Sequence, residues 1–346
     1  MIAKSRRTRK RPINLLVRVD GNDRIGFGHA VRVSSLLHAI KLPLRTAVAS
    51  YDAPVANLFP RGRLELLSKR HSFRAVLARY NYDAVVVDLP RPAPGLWEQL
   101  RRTERPVIAV DDYGGAIAAD LIVNGTVLPE YHRYPSRSIR GRVLVGPRYI
   151  LIRPEFGKTR WTKPRHRSVA IVIGSGRRAH DWAFKLASSS LNRSGWGRVT
   201  MVVGTAFPKL ELLSRACSKA GIILRHGLPA NALSTLFARS SVGLITGGMV
   251  VYEALAVGVP AVIFPQMTNL VREANWFKAQ RCARIIGFHQ GFDMDYVGRE
   301  VTALLHDEVL AQRMSTRARK VIDGRGTTRA ASAIVELLQP ARTKVV

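Results

Sequence analysis

No stretch of this sequence approaches the roughly 18 uninterrupted apolar residues of a membrane-spanning helix, so no membrane span is expected and the chain reads as soluble. Cysteine is almost missing. Cys217 and Cys282 stand in neither metal-like nor disulfide-like spacing, which points to reduced thiols and a cytoplasmic location. A secretion signal is not expected either: Lys4, Arg6, Arg7, Arg9, Lys10 and Arg11 form a basic cluster, but the apolar run behind it, Ile13 to Val17, is cut by Arg18 and is too short. Aromatic residues make up only 7% of the chain and no recognised motif interleaves them with its basic runs, which disfavours a nucleic-acid binder. There is no repeat of about 20 to 50 residues. Neither the full dinucleotide fingerprint nor a P-loop with its Lys and Ser/Thr is present. NAD and ATP are thereby disfavoured, and no cofactor is expected.

Acidic residues are scarce as well, 24 against 55 Lys and Arg, for a formal charge of +31. Nucleic acid, an anionic surface or a phosphorylated ligand could answer such a charge. Much of the excess lies off any single helix face, in Ser5 to Arg11, Arg133 to Arg148 and Arg153 to Arg167, and reads as a solvated positive surface.

What is present is globular in balance, with 47% hydrophobic and 23% charged residues over 346 positions. At about 150 residues per domain this length suggests two. Ile13 to Asp20 is a β-branched apolar run ending on an acid, followed by Gly21, Gly26 and Gly28. Helical spacing of Val33, Leu36, Leu37 and Ile40 then predicts a helix over Ala30 to Leu42, completing a strand-loop-helix unit. Further strands are predicted at Ala47 to Ser50, Ala84 to Asp88, Val107 to Asp111, Leu121 to Asn124 and Arg142 to Val145. Such continuous Val/Ile runs belong to a parallel sheet covered on both faces, whose ligands gather at the strands' carboxyl ends. The terminal Asp20, Asp88, Asp111 and Asn124 therefore point toward a site.

Arg153 to Arg167 is polar with two prolines and reads as an interdomain linker. A second series follows, with strands at Val169 to Ile173, Val199 to Val203, Ile222 to Arg225, Val242 to Thr246 and Ala261 to Pro265. Helices near Val297 to Leu305, Leu310 to Val321 and Thr328 to Leu338 close the chain. The expectation is an α/β protein of an N-terminal Rossmann-like domain over 1–152, a linker over 153–167 and a C-terminal one over 168–346.

Three glycine turns follow predicted strands: Gly26-Phe27-Gly28-His29, Gly174-Ser175-Gly176, and Gly247-Gly248 ahead of Met249. Glycine lets backbone N–H groups approach an anion, and the helix behind it offers its positive end; a tight turn without a ligand looks the same. Glu253, one turn into the helix that opens at Gly248, could accept from a ribose diol or merely complement the helix dipole. His29 at the mouth of the first loop is placed as a general base, a role histidine suits near neutral pH, though packing or capping is the plainer use. Asp111 and Asp112 suit hydrogen bonds to a sugar or a backbone turn better than a metal. Asp293 and Asp295 lack a nearby His or Cys, and no metal site is expected.

With these residues in view, the chain resembles the family of UDP-sugar hydrolases of the pseudaminic acid pathway and its spore-coat polysaccharide relatives. The likeness spans nearly the whole length. It rests on RVDGNDRIGFGHAVR, on VDD at Val110 to Asp112, on GPRYILIRPEF at Gly146 to Phe156 with Tyr149 in it, on TGGMVVYEALAVGVPAVIF, and on IDGRGTTRA at Ile322 to Ala330. The resemblance implies two Rossmann-like domains facing a cleft in the glycosyltransferase B arrangement, with UDP held mainly by the C-terminal domain. It also implies metal-independent attack of water at the anomeric carbon. His29 matches the base, Arg32 the basic position three residues on, and Glu253 the residue near the uridine ribose. Two departures fall on the sugar side. Asp88-Leu89-Pro90 stands where such hydrolases have Asp-His-Tyr, and Gly174-Ser175-Gly176-Arg177 where they have a Gly-Gly-Ser-Asp-like turn. A UDP-sugar is the expected small-molecule partner. A glycosyltransferase of the same fold, which needs an acceptor, and a basic nucleic-acid-binding protein are the alternatives.

Overall fold

The computed structural model describes residues 11–339 apart from 23–24, 91, 94, 137–138, 175–176, 189–193, 206, 266–267 and 288–293. Its first sheet contains β1 (Ile13–Val19), β2 (Leu44–Ser50), β3 (Arg63–Leu66), β4 (Ala84–Asp88), β5 (Val107–Val110), β6 (Leu121–Asn124) and β7 (Arg142–Val145). Their order is β3-β2-β1-β4-β5-β6-β7, and every pairing is parallel. The second sheet contains β8 (Ser168–Val172), β9 (Arg198–Val203), β10 (Ile223–His226), β11 (Val242–Ile245), β12 (Ala261–Ile263) and β13 (Arg284–Ile285). It repeats the pattern as β10-β9-β8-β11-β12-β13, again parallel throughout. Two parallel sheets flanked by helices make the α/β glycosyltransferase B architecture. The uninterrupted apolar runs explain it: every residue of β4, β5, β6 and β11 is buried, as a strand covered on both faces requires.

Two edge strands escaped the sequence reading. β3 buries one residue, Glu65, among its four, and β13 is two residues long, so neither carries the apolar run that marks an interior strand. The first helix, α1 (Gly28–Ala39), starts two residues before its predicted beginning and stops three before its predicted end, since Ile40 is already extended.

The segment read as a linker is packed rather than loose. It opens with a short helix, α4 (Pro154–Lys158), whose Phe156 is fully buried. Trp161 is buried in the same core, its backbone N–H donating to Val257 O at 2.9 Å and its indole Nε1–H to Ser240 O at 2.8 Å. The polar composition of 153–167 hid these two aromatic anchors.

The last helix departs further from expectation. α12 (Gly326–Leu338) was assigned to the second domain, yet Ala330, Ala331, Ala333 and Ile334 are buried in the first domain's core with Val33, Leu36, Leu121 and Val123. The chain crosses back, and the crossing is tightly built. A Cβ on Gly326 would lie 2.2 Å from Ile150 O, and one on Gly125 would lie 2.3 Å from Ile150 Cα, so the Ile150 backbone runs between two glycines. Thr327 Oγ1 donates to Ile152 O at 2.6 Å, and Arg329 Nη1 to Arg148 O at 2.8 Å. Two of the motifs behind the family resemblance, 146–156 and 322–330, are thus each other's packing partners. Because backbone atoms cannot give way, Gly326→Ala should destabilise the protein by about 1–3 kcal/mol or more. Thermal melting of the variant with a circular-dichroism readout checks this, and an unchanged midpoint would contradict the close approach.

Candidate active site

Strand order reverses between β1 and β4 in the first sheet and between β8 and β11 in the second. At such a switch point the connections leave in opposite directions and open a crevice at the strands' carboxyl ends. The two crevices face each other: a Cβ placed on Gly28, after β1, would come within 3.7 Å of Met249 Cγ, at the start of α8 (Met249–Val257) after β11.

On the N-terminal side, four side chains converge, two from α1, one from the end of β4 and one from the loop after β5. Asp88, the last residue of β4, is wholly buried. Its Oδ1 lies 2.6 Å from His29 Nδ1 and accepts from Arg32 Nη2 at 2.7 Å, while Oδ2 accepts from Arg32 Nε at 2.6 Å. Arg32 turns its other edge to Asp112, donating from Nη1 to Oδ1 at 2.8 Å and from Nη2 to Oδ2 at 2.9 Å. The spacing of His29 and Arg32 places both on one face of the first turn of α1, aimed at the end of β4.

Burial works against the charge on Asp88, but Arg32 first and His29 second outweigh it and hold the carboxyl below its usual range. Burial likewise opposes the charge on Arg32, and the carboxylates of Asp112 and Asp88 overcome it. An ionised Asp88 can only accept, so the proton between it and His29 is assigned to Nδ1. Arg32 Nη2, 3.1 Å from that nitrogen, is a second donor to the same carboxylate rather than a partner of the ring. Nε2 is then the nitrogen with the free lone pair, on a side chain that keeps 17% of its surface exposed. An imidazole fixed in this tautomer by a buried acid can take a proton from a bound water or hydroxyl.

The other expected site residues divide sharply. Asp20 is held by Arg18, Nη1 to Oδ1 at 2.6 Å and Nη2 to Oδ2 at 2.7 Å, and also accepts from the Tyr51 N–H, so it ties the ends of β1 and β2 together. Asp111 Oδ2 accepts from the Gly114 N–H at 2.6 Å, the Tyr134 hydroxyl at 2.7 Å and the Tyr113 N–H at 3.1 Å. Burial raises its carboxyl above the ordinary range despite these bonds. Asn124 donates to Tyr131 O and Tyr134 Oη and accepts from the Thr126 N–H. Both therefore serve the loops after β5 and β6, the backbone-turn use already considered for Asp111. Tyr149 packs at the chain crossing beside Arg148.

Gly26 takes a φ of +78° and donates to Asn22 O at 2.7 Å, which explains a glycine there without any ligand. On the C-terminal side, the Gly174 N–H donates to Thr246 Oγ1 at 2.8 Å and so stitches the ends of β8 and β11. Gly176 and Asp293 lie outside the described residues. Gly247 and Gly248 have φ of +114° and +76°, which favour glycine, and with Gly248 as the N-cap the N-terminus of α8 has no side-chain cap.

Glu253 is the main surprise. It is 3% exposed, and its Oε1 and Oε2 accept from Arg153 Nε and Nη2, both at 2.7 Å. Expected to face the cleft, it instead holds the interdomain segment, with the Arg153 guanidinium stacked 4.8 Å over the Phe156 ring. Polar sequence around Arg153 gave no hint of this pair. Removing one partner of a buried ion pair strands the other, at about 3–5 kcal/mol when burial is complete. Glu253→Ala should accordingly lower the melting temperature clearly, because Arg153 keeps only part of its surface in water; a variant as stable as the parent would show that the pair does not hold the segment.

Asp88 was legible as a strand-end acid pointing toward a site, but not as the partner of His29 and Arg32; Tyr252 and Glu273 were passed over. The last two lie on α8 and α9 (Thr268–Ala279) of the C-terminal side. Tyr252 donates its hydroxyl to Glu273 Oε2 at 3.1 Å. Burial pushes the Glu273 carboxyl up to about 7, the Asp112 charge adds to this, and Tyr252 and Arg32 relieve it in part. No helix among the described residues is long and apolar enough to cross a membrane.

No protein-family model matches the chain. It is 22% identical over 338 residues to the spore coat polysaccharide biosynthesis protein SpsG of Bacillus subtilis strain 168, covering 92% of this chain and 97% of that one. Among solved structures it is similar to the glycotransferase of kitacinnamycin, with a TM-score of 0.64 and 16% identity over 95% of this chain and 100% of that one. It is also similar to MurG of Acinetobacter baumannii, with a TM-score of 0.63 and 12% identity over 94% of this chain and 100% of that one. These structures share the fold, and the curated relative agrees with the resemblance read from the motifs.

Proposed function

We propose that this chain is a nucleotide-sugar hydrolase that cleaves a UDP-activated amino or deoxy sugar at its anomeric carbon, in the biosynthesis of a surface polysaccharide or a pseudaminic-type acid. The observation that carries the reading is the 2.6 Å contact between His29 Nδ1 and a buried, ionised Asp88, set at the first switch point and opposite the uncapped start of α8. The diphosphate is placed at that helix start, where free N–H groups and the helix dipole favour an anion. Glu253 joins the ribose only if Arg153 releases it. The name of the curated relative and the motif resemblance support the substrate class and the pathway.

In the proposed step, water held by His29 Nε2 attacks the anomeric carbon as the bond from that carbon to the β-phosphate oxygen breaks. The water proton passes to Nε2, the bonding pair leaves with UDP, and the second hydroxyl hydrogen stays on the sugar. A nucleoside diphosphate is stable as an anion and requires no general acid. Asp88 stabilises the imidazolium as it forms, and Arg32, saturated by Asp88 and Asp112, holds that acid in place.

The same geometry would let Nε2 deprotonate an acceptor hydroxyl, which is the transferase alternative, and the solved structures of this fold that are glycosyltransferases lend it support. Turnover of UDP-sugars in water enriched with ¹⁸O separates the two. Hydrolysis puts the label in the sugar and needs no second substrate. Label in the phosphate would exclude attack at carbon, and product that forms only when a second sugar or a lipid is supplied would make the protein a transferase.

A further inference from the structure

A cavity of about 280 Å³ opens at the chain crossing, between β7, the residues that follow it and α12. Its wall brings Arg142, Arg148 and Arg329 together with the hydroxyl residues Thr328 and Ser332 and the ring of Tyr149, which was expected at the substrate. None of the side chains around His29 lines it. One carboxylate, Glu336, stands against the three guanidinium groups. Arg329 is already neutralised by Asp323, to which it donates from both Nη1 and Nη2. Arg142 is paired with Glu336, but both side chains are more than half exposed, and such a pair is weak. Arg148 has no carboxylate partner among the described residues; its guanidinium lies 5.3 Å over the Tyr149 ring, at the cavity wall. Thr328 and Ser332 stand four residues apart, on one face of α12, and their hydroxyls bond no other group among the described residues.

We propose that this cavity binds the phosphate group of a small phosphorylated molecule, at a site separate from the cleft. The inference goes beyond the nucleotide-sugar reading and does not depend on it. The donor set decides the ligand class. Arg148 offers an uncommitted planar fork, Arg142 can turn from its exposed partner, and two hydroxyls stand beside them. A carboxylate, with two oxygens and a single charge, leaves part of that set unused. A phosphate monoester carries about −1.5 to −2 charges and three strong acceptor oxygens, and arginine forks match it bidentately. Size sets a limit as well. Ligand pockets run from roughly 300 Å³ upward, so this cavity takes a phosphate with a small body attached and not a whole nucleotide. Tyr149 and Leu144 give that body an apolar wall. A phosphate held here bridges β7 through Arg142, the crossing segment through Arg148 and α12 through Thr328 and Ser332.

Titration of inorganic phosphate, glycerol phosphate and acetate into the parent, Arg148→Ala, Arg148→Lys and Arg313→Ala tests the proposal, at constant ionic strength and about pH 8, where a monoester is a dianion. Both phosphates should bind the parent at millimolar concentration or below, and acetate much more weakly. Arg148→Ala should weaken phosphate binding by roughly tenfold, the scale of one charge-assisted hydrogen bond, and Arg148→Lys by less, because the charge remains while the fork is lost. The Arg148 side chain is exposed, and the bond that serves the fold is made by its backbone carbonyl, so both variants should melt like the parent. Arg313 is exposed on α11 (Glu308–Val321); Arg313→Ala removes the same charge elsewhere and should leave phosphate binding as it is in the parent. The proposal falls if neither phosphate binds the parent, if acetate binds as tightly as they do, or if Arg148→Ala and Arg313→Ala change binding equally. Loss of UDP binding together with phosphate binding in Arg148→Ala would make the cavity part of the nucleotide site and overturn it. Vesicles containing phosphatidic acid that bind through Arg148 while the free phosphates do not would give the surface to a lipid headgroup, which overturns it as well.

Discussion

Replacing His29 by Asn should lower turnover of the UDP-sugar by about 10²- to 10⁴-fold, the usual contribution of a positioned general base, while binding of UDP persists. The basis is geometric. His29 Nδ1 is bound to Asp88 at 2.6 Å, leaving Nε2 as the ring nitrogen able to take the proton of the attacking water. Asn retains polarity and can still reach Asp88, but it has no lone-pair nitrogen that accepts a proton near neutral pH. The proposed function puts UDP on the opposite domain, against the start of α8, so a loss of turnover accompanied by an equal loss of UDP affinity would move His29 from the chemistry to binding. Steady-state kinetics beside UDP calorimetry separates the outcomes, and turnover within threefold of the parent would remove His29 as the base.

Asp88→Asn should be as damaging without touching the substrate. An amide at this position can offer N–H to His29 Nδ1, which drives the ring proton to Nε2 and abolishes the base. In a Ser-His-Asp arrangement the equivalent exchange costs about 10⁴-fold in rate. Here the change also removes one of the two carboxylates that hold Arg32. Partial loss of a buried ionic network costs up to about 3–5 kcal/mol, so the melting temperature is expected to drop as well. The two effects are separable. At a temperature where both proteins are folded by circular dichroism, the rate loss should remain, with KM changed little and kcat carrying the effect. A variant that recovers full turnover once cooled below its transition would show that Asp88 serves stability alone.

Ionisation sets the pH limit on that network. The folded-state pKa of Asp88 is depressed by Arg32 and His29 against the opposing effect of burial. Its stabilising contribution is therefore present above the ordinary carboxylate range and is lost as pH falls through the lowered folded value.

Much of the fold was legible from one-dimensional patterns. Val/Ile runs of interior-strand length and the glycine turns behind them define local structure that needs few distant partners, and most interior strands of both sheets formed close to their predicted positions. β3 and β13 were illegible because an edge strand takes its hydrogen bonds from a neighbour and needs no apolar run of its own. Gly28 and His29 could be picked out because a strand and a glycine loop place them at the strands' carboxyl ends, and Arg32 because it matches the basic position of the motif resemblance. Asp88 was visible as the end of AVVVD, but only the parallel pairing of β4 beside β1 shows that it meets His29 across 59 positions of sequence.

The candidate residues that changed role did so for one reason: a carboxylate's partner is chosen by three-dimensional proximity. Asp20 went to Arg18, Asp111 to Tyr134 and two backbone N–H groups, and Glu253 to Arg153, each taking the donor that folding brought nearest. The sequence by itself determined the α/β class, the two series of strands and the glycine-flanked histidine at the first helix, since these follow from periodicity and backbone conformation within short windows. The tertiary structure alone decided that α12 crosses back to the first core, that Asp88 meets His29, and that Tyr252 on α8 meets Glu273 on α9. Those outcomes depend on which surfaces are buried together and which charges must share a dry space, and neither quantity is written in the order of residues along the chain.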